Sequence, residues 1–373
     1  MKKLIPIVLG AVVCIPALVK AQQDPYYTHF AYNKVFLNPA YAGASGRFCI
    51  NAVTHQQWRG FQEQTASYKT QSGLPISDNL LNQIAPKTTG FGFSAPINIK
   101  NAAKESINYG GVYLGFISDV VAYEVNTYMR GGVAGAYNMA NGSSIRVGVD
   151  FTSLTKQLDG TKMRAHDPND PRIPTTKSGA TKTALGAGVF YNNPNFKDFY
   201  AGLSVSHMMP KEYQYQAPAG TVSITTARHF YLMSGLRINN FLGNPALSLD
   251  PALLVKTVMG GGPVKPQLDL QGMVTWNEMF AGGLALRNYG VGIDAASIML
   301  GYYPPIKGNS PGPDAQQLLR VGYSYDITLQ SLRRNSNGSH ELQVNYCFKI
   351  ALPVRPEKVY RHPRYMLRNP DLD

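Results

Sequence analysis

From residue 46 onward the chain alternates apolar and polar positions with a period of two. At 145–152, Ile145, Val147, Val149 and Phe151 share one face, and Arg146, Gly148, Asp150 and Thr152 share the other. At 319–327, Leu319, Val321, Tyr323, Tyr325 and Ile327 alternate with Arg320, Gly322, Ser324 and Asp326. Successive side chains of a strand point to opposite sides, so such segments predict strands with one apolar and one polar face. Fourteen are readable: 46–57, 86–98, 109–118, 124–138, 143–158, 183–193, 197–207, 224–237, 246–258, 264–276, 278–289, 291–302, 316–328 and 338–349. Most exceed the roughly five or six residues usual in soluble sheets and reach the roughly 9–11 that a tilted membrane strand requires.

Tight turns at Asn141-Gly142, Asn192-Asn193-Pro194-Asn195 and Asn277-Glu278 alternate with long polar loops at 59–85, 159–182 and 208–223. The expected fold is all-β: one antiparallel outer-membrane β-barrel over 46–350, with turns on the periplasmic side and most loops outside. Loop 303–315 breaks that rule, because it would be a long periplasmic one. Tyr137, Tyr191, Trp276, Phe280 and Phe348 sit beside the predicted turns or the barrel's end, where amphipathic rings favour a membrane interface. A soluble sandwich or propeller also alternates, but accounts poorly for the strand length, and no blade motif recurs.

The ends differ from the middle. Lys2 and Lys3, the apolar stretch Leu4 to Val19, and Val19-Lys20-Ala21 predict a secretory signal over 1–21 with cleavage before Gln22. That stretch is shorter than the ~20 residues of a helical span, and Pro6 and Pro16 interrupt it. Residues 22–45 are expected to form an arm or plug, and 351–373 a periplasmic tail.

Composition narrows the function classes. Charged residues make up 15%, against roughly 25% in soluble domains. With 36 glycines and 23 tyrosines, this excludes a coiled coil and argues against disorder. The net charge of +13 raises the question of nucleic acid. Zinc-ligand spacing, a P-loop and Lys/Arg runs longer than two are all missing, so no nucleic-acid partner is expected.

The predicted lumen face carries Asp150, Asp250, Asp269, Asp326 and Glu341 against Arg146, Lys256, Arg320 and Lys349. Near-balance predicts a cross-linked network rather than the single-sign field of an ion pore. The excess positive charge lies in 156–182 and in the tail, where Arg355, Lys358, Tyr360, Arg361, Arg364, Tyr365 and Arg368 suit docking onto an acidic surface of a periplasmic or lipoprotein partner. Cys49 and Cys347 fall on the first and last strands, both pointing inward. A closed barrel sets them on facing strands at the periplasmic end, where they form a disulfide or lie close without one.

Catalytic groupings are weak. Ser206-His207 and Ser339-His340 are adjacent on strands, which would aim the two side chains of each pair to opposite faces. His340 and Asp326 stand near the ends of one loop. The seven histidines show no metal-ligand spacing. Asp167-Pro168-Asn169-Asp170 reads as a proline-stiffened turn before a calcium loop, and Arg228-His229 as structural. Neither an enzyme, a metal nor a cofactor is expected.

Ordered motifs add to this reading: Gln23-Asp24-Pro25, Asn38-Pro39-Ala40-Tyr41-Ala42-Gly43, Gln57-Trp58, Ala85-Pro86-Lys87-Thr88-Thr89, Tyr200-Ala201-Gly202-Leu203-Ser204, Arg228-His229-Phe230-Tyr231, Arg320-Val321-Gly322-Tyr323-Ser324-Tyr325-Asp326 and Gly338-Ser339-His340-Glu341. Together they resemble the PorP/SprF family of type IX secretion system membrane proteins. The departures are an insertion at 59–84, and His55-Gln56 where the family often has Arg-Asn. The resemblance implies an outer-membrane barrel of a Bacteroidota bacterium that assists export or surface anchoring of secreted proteins, including gliding adhesins. Its implied partners are outer-membrane lipids, secreted cargo and subunits of the secretion machinery. The competing reading is a passive porin or a hydrophobic-solute transport barrel.

Overall fold

A computed structural model describes residues 24–62, 84–100, 106–163, 170–259, 265–288, 292–307, 316–329 and 331–349. Fourteen long strands close on themselves. They are β1 (Phe48–Gln56), β2 (Lys87–Lys100), β3 (Ser106–Val121), β4 (Glu124–Asn138), β5 (Ser144–Asp159), β6 (Lys177–Asn193) and β7 (Phe199–Ser206). Then follow β8 (Arg228–Gly235), β9 (Leu247–Met259), β10 (Gln267–Trp276), β11 (Phe280–Asn288), β12 (Ile293–Tyr302), β13 (Gln316–Thr328) and β14 (Ser339–Phe348). Each pairs antiparallel with its neighbour in sequence, and β1 pairs with β14, which leaves no open edge.

The alternation dictates which face looks where. On β5, Val147, Val149 and Phe151 are more than half exposed to what surrounds the barrel, while Arg146, Asp150 and Thr152 between them are buried inside. A lipid-facing apolar exterior around a polar interior is the pattern of an outer-membrane barrel. Aromatic rings gather at the chain-end face, where β1 begins and β14 ends. Trp276 stacks on Phe280, which packs against Tyr302, and Phe48 sits between Phe93 and Phe348.

Two stretches read as loops contain strands. Residues Glu212–Ala217 and Gly220–Thr225 form a separate hairpin, and Pro305–Lys307 pairs with β13. The hairpin's Tyr213 and Tyr215 are buried beneath it against the barrel. They donate to the Leu154 carbonyl (3.1 Å) and to Glu124 (3.0 Å).

Residues 24–47 run through the lumen rather than along its mouth. The single-turn helix α1 (Lys34–Leu37) and a 3-10 turn at Pro39–Tyr41 carry Val35, Phe36 and Ala40, all buried, as is Phe30 in the turn before them. Asn38 opens the 3-10 turn by accepting from the Ala40 amide. The main apolar core therefore forms between this arm and the wall: Tyr27, Phe36 and Leu37 cluster with Tyr113, Phe190 and Met233. Glycine makes the close approach feasible. A Cβ on Gly148 would lie 2.5 Å from the Ala40 nitrogen, and one on Gly92 2.7 Å from the Phe36 ring. The chain presses against the inner wall where the wall has no side chains.

Candidate functional site: a filled lumen and a cationic cavity

The arm is held at successive points by wall residues from almost every part of the barrel. At its start, Asp24 accepts from Ser206 Oγ (2.8 Å) and Tyr231 Oη (2.9 Å) and lies 2.9 Å from His207 Nε2. Its own amide donates to His229 Nε2 (3.1 Å), and Lys256 Nζ donates to its carbonyl (2.9 Å). Burial alone would raise the Asp24 carboxyl, yet the electrostatic pull of His229, His207 and Lys256 and the hydrogen bond with His207 hold it well below the usual carboxylate range.

Four residues on, the Thr28 and His29 amides donate to Glu341 (2.7 and 2.8 Å), whose carboxylate also meets the His29 ring (2.9 Å) and lies 3.3 Å from His55. Thr28 Oγ1 donates to Asp326 (2.9 Å). Asp326 in turn receives Arg287 (3.1 Å), which also faces Asp269 (3.4 Å) and Asp294 (3.9 Å) and stacks 3.3 Å over the Tyr26 ring. Asn33 donates to Gln343 (2.7 Å).

Further along, backbone carbonyls of the arm are the acceptors. Arg130 donates to Phe36 O (2.8 Å) while pairing with Asp150 (2.9 Å), which Tyr113 also reaches (2.7 Å). Ser204 donates to Leu37 O (2.6 Å), and Arg146 to Ala40 O (3.2 Å) and Ala42 O (2.6 Å). Near the hairpin, Lys156 pairs with Glu124 (2.9 Å). Buried polar groups persist where they are bonded and buried charges where they are paired. The lumen polar face thus serves to hold a peptide in place.

Of the sequence-derived lumen set, Arg146, Asp150, Lys256, Asp269, Asp326 and Glu341 belong to this system. Asp250 and Arg320 instead line a cavity at the chain-end face. Lys349 differs from the expectation: it is exposed, one residue beyond β14, and has no place in the lumen. Cys49 lies directly opposite Cys347 across the β1–β14 seam, and the two are joined by a disulfide (Cα–Cα 4.1 Å). The tail residues Arg355 to Arg368 fall outside the described residues.

The partners Arg130, Arg287, Glu124 and Lys156, and the arm groups Asp24, Thr28 and His29, were not singled out from sequence. A signal existed for the wall: Glu124, Asn126, Tyr128 and Arg130 share one parity, and Ala285 and Arg287 alternate with Leu284 and Leu286. Ser206 and His207 also depart from the strand rule. β7 ends at Ser206, and His207 adopts φ +52°, so both side chains reach Asp24. Ser339 and His340 do diverge, with Ser339 buried and His340 meeting Tyr323 Oη (2.8 Å) on the exposed side.

Among the described residues, Asp24, His207 and His229 form a grouping close enough to hold a cation, with ligand atoms within 4.8 Å of one another. The fit is poor. His229 uses Nε2 for the Asp24 amide and Nδ1 for the Ala227 carbonyl (3.1 Å), which leaves it no lone pair for a metal.

At the chain-end face a cavity of about 500 Å³ opens among turn residues Asp198, Glu278 and Pro304. A second, of about 230 Å³, adjoins it beside the seam. Lys34 of the arm and Arg320 of β13 line both. Lys34 Nζ sits 3.9 Å over the Tyr200 ring, and Arg320 lies 5.7 Å from the rings of Tyr32 and Tyr303. Burial, with Arg320 nearby, pushes the Lys34 ammonium down to about 8.

Solved structures with similar folds include outer-membrane barrels of low identity. A Pseudomonas aeruginosa FadL homologue is 10% identical, covering 90% of this chain and 100% of its own, with a TM-score of 0.43. The CymD monoaromatic hydrocarbon channel is 9% identical, covering 86% and 93%, with a TM-score of 0.44. The NalP autotransporter translocator domain of Neisseria meningitidis is 11% identical, covering 87% and 96%, with a TM-score of 0.39. No curated protein matches the sequence. The family described as type IX secretion system membrane protein PorP/SprF matches residues 19–346. With that match spanning most of the chain, and with a closed barrel of apolar exterior, this is an outer-membrane protein of the PorP/SprF type IX secretion family.

Proposed function

We propose that the barrel is a non-conducting, protein-binding accessory of type IX secretion, assisting export or surface anchoring of secreted proteins or adhesins, with the start of β1 and the end of β14 on the periplasmic side. The observation that carries this reading is the occupied lumen. A diffusion pore needs an open, water-filled path, whereas here residues 24–47 fill the interior with apolar side chains and are bonded to wall residues from β2 to β14. The lumen charges are spent on the arm, leaving no single-sign field along a conduit. Even strand number puts the start of β1 and the end of β14 on one side. To the basic segment 351–373, which follows β14, we assign a docking role toward an acidic partner surface.

Planar-bilayer recording of the purified barrel tests this. The full chain is expected to show no conductance. A chain lacking 24–45 is expected to conduct steadily, provided it still migrates as a folded barrel on unheated gels. Steady conductance from the intact chain would favour the porin reading instead. Copurification with secretion subunits should weaken when the chain ends at Ile350.

A further inference from the structure

The smaller chain-end cavity is unlike the rest of the lumen. Its lining holds Lys34, Arg47 and Arg320, and among the described lining residues there is no carboxylate. Asn51, Asn345 and Ser94 add polar groups that accept or donate. Deeper in the barrel, Arg130 is matched by Asp150, Lys156 by Glu124 and Arg287 by three aspartates, while Arg146 and Lys256 donate to carbonyls of the arm. Among the described residues, no carboxylate lies within ion-pair distance of Lys34 or Arg320, and each meets the other's like charge. Asp250 acts on both from the larger cavity but lies 3.6 Å from Arg237, so one carboxylate is shared among three cations. Cations brought together with less than their matching counter-charge incur repulsion and desolvation that a bound anion relieves.

The geometry points to a binding site for a carboxylate carried on an acidic peptide segment of a partner protein, the carboxylate seated between Lys34 and Arg320. Arginine presents a fork that matches a carboxylate in two parallel hydrogen bonds, and lysine adds a point charge. The approach favours a peptide over a free ion. The larger cavity in front offers about 500 Å³ with flat tyrosine faces (Tyr32, Tyr200, Tyr303) and apolar contacts at Met273 and Leu318, more room than an inorganic ion would fill. Asp198 and Glu278 stand at its mouth. They disfavour acids at the rim and suit backbone amides or a basic flank of the entering chain. This inference rests on the protein-docking reading and names the chemistry of the partner. The conductance experiment decides that reading separately, so a failed titration removes the site and leaves the plugged barrel intact.

The test is fluorescence anisotropy on the full-length barrel in detergent, with a short labelled peptide carrying two glutamates and its glutamine counterpart. The glutamate peptide is expected to bind about tenfold or more tightly than the glutamine peptide, and Lys34→Gln and Arg320→Gln are each expected to weaken it about tenfold, the size of one lost charge-assisted contact. Arg333→Gln, in an exposed turn on the opposite face, is expected to leave binding unchanged. Each variant is first shown to migrate as a folded barrel. Equal binding of the two peptides overturns the proposal, as does binding indifferent to both cavity variants. Inorganic phosphate that matches the peptide's affinity at the same site overturns the peptide assignment.

Discussion

The deep lumen and the chain-end cavity are built from the same residue types and treat them in opposite ways. Around Arg287 three aspartates and the Tyr26 ring crowd a single guanidinium, and around Glu341 two histidines and two arm amides converge. Around Lys34 and Arg320 there are aromatic faces and an empty volume. Charge that is matched within the chain holds structure. Charge that the chain leaves unmatched, at an accessible face, is available to something that arrives. The contrast separates residues whose loss should unfold or unplug the barrel from residues whose loss should leave it intact and affect only binding.

The contrast breaks most sharply at Arg287. Arg287→Leu leaves Asp269, Asp294 and Asp326 as uncompensated buried carboxylates, which should cost about 4 kcal/mol in denaturant unfolding followed on unheated gels. A loss below about 1 kcal/mol would mean that the deep network is no more structural than the cavity. The seam comes next. Cys49→Ser with Cys347→Ser removes a link spanning 298 residues, for which about 3 kcal/mol is expected. Reducing agent should reproduce the effect on the native chain, and an unchanged midpoint in both experiments would show the pairing of β1 with β14 to be sufficient alone.

Lys34→Met should have the smallest effect and the opposite sign, a gain of up to about 1 kcal/mol, since it removes an unmatched charge. The same residue sets a pH signature. Its ammonium is pushed down to about 8 in the folded chain, so between about 8 and the ordinary lysine value the unfolded chain holds the extra proton. Relative to the Lys34→Met variant, stability of the native chain should therefore rise with pH across that window. Destabilisation by Lys34→Met at neutral pH would place Lys34 with the structural set.

Much of the wall was legible because a strand's side chains obey a strict period of two. Arg146, Asp150, Asp269 and Glu341 could be placed on the inner face from their neighbours alone. The seam position of Cys49 and Cys347 followed from closure of an even sheet. Other features escaped for identifiable reasons. The arm has no periodicity, and its bonds join residues about 300 positions apart, as Thr28 does with Glu341, so no local pattern announces them. The hairpin over 212–225 carried an alternation, Tyr213 and Tyr215 between Glu212, Gln214 and Gln216, that was masked by its position in a long polar loop. Ser206 and His207 escaped because a single residue with positive φ at a strand end cancels the alternation rule. The cavity was hidden because a charge's lack of a partner is a property of three dimensions.

The arm's attachment to the last strand has a consequence for manufacture. The first residues of the mature barrel are synthesised earliest, yet Glu341, Gln343 and Cys347, which hold Thr28, His29, Asn33 and Cys49, arrive only with β14. A chain that stops short of Ser339 can form most of its hairpins but can neither seat its arm nor close its seam. Correct seating is thus a readout of completeness, in which the start of the polypeptide inspects its end before the product is sealed.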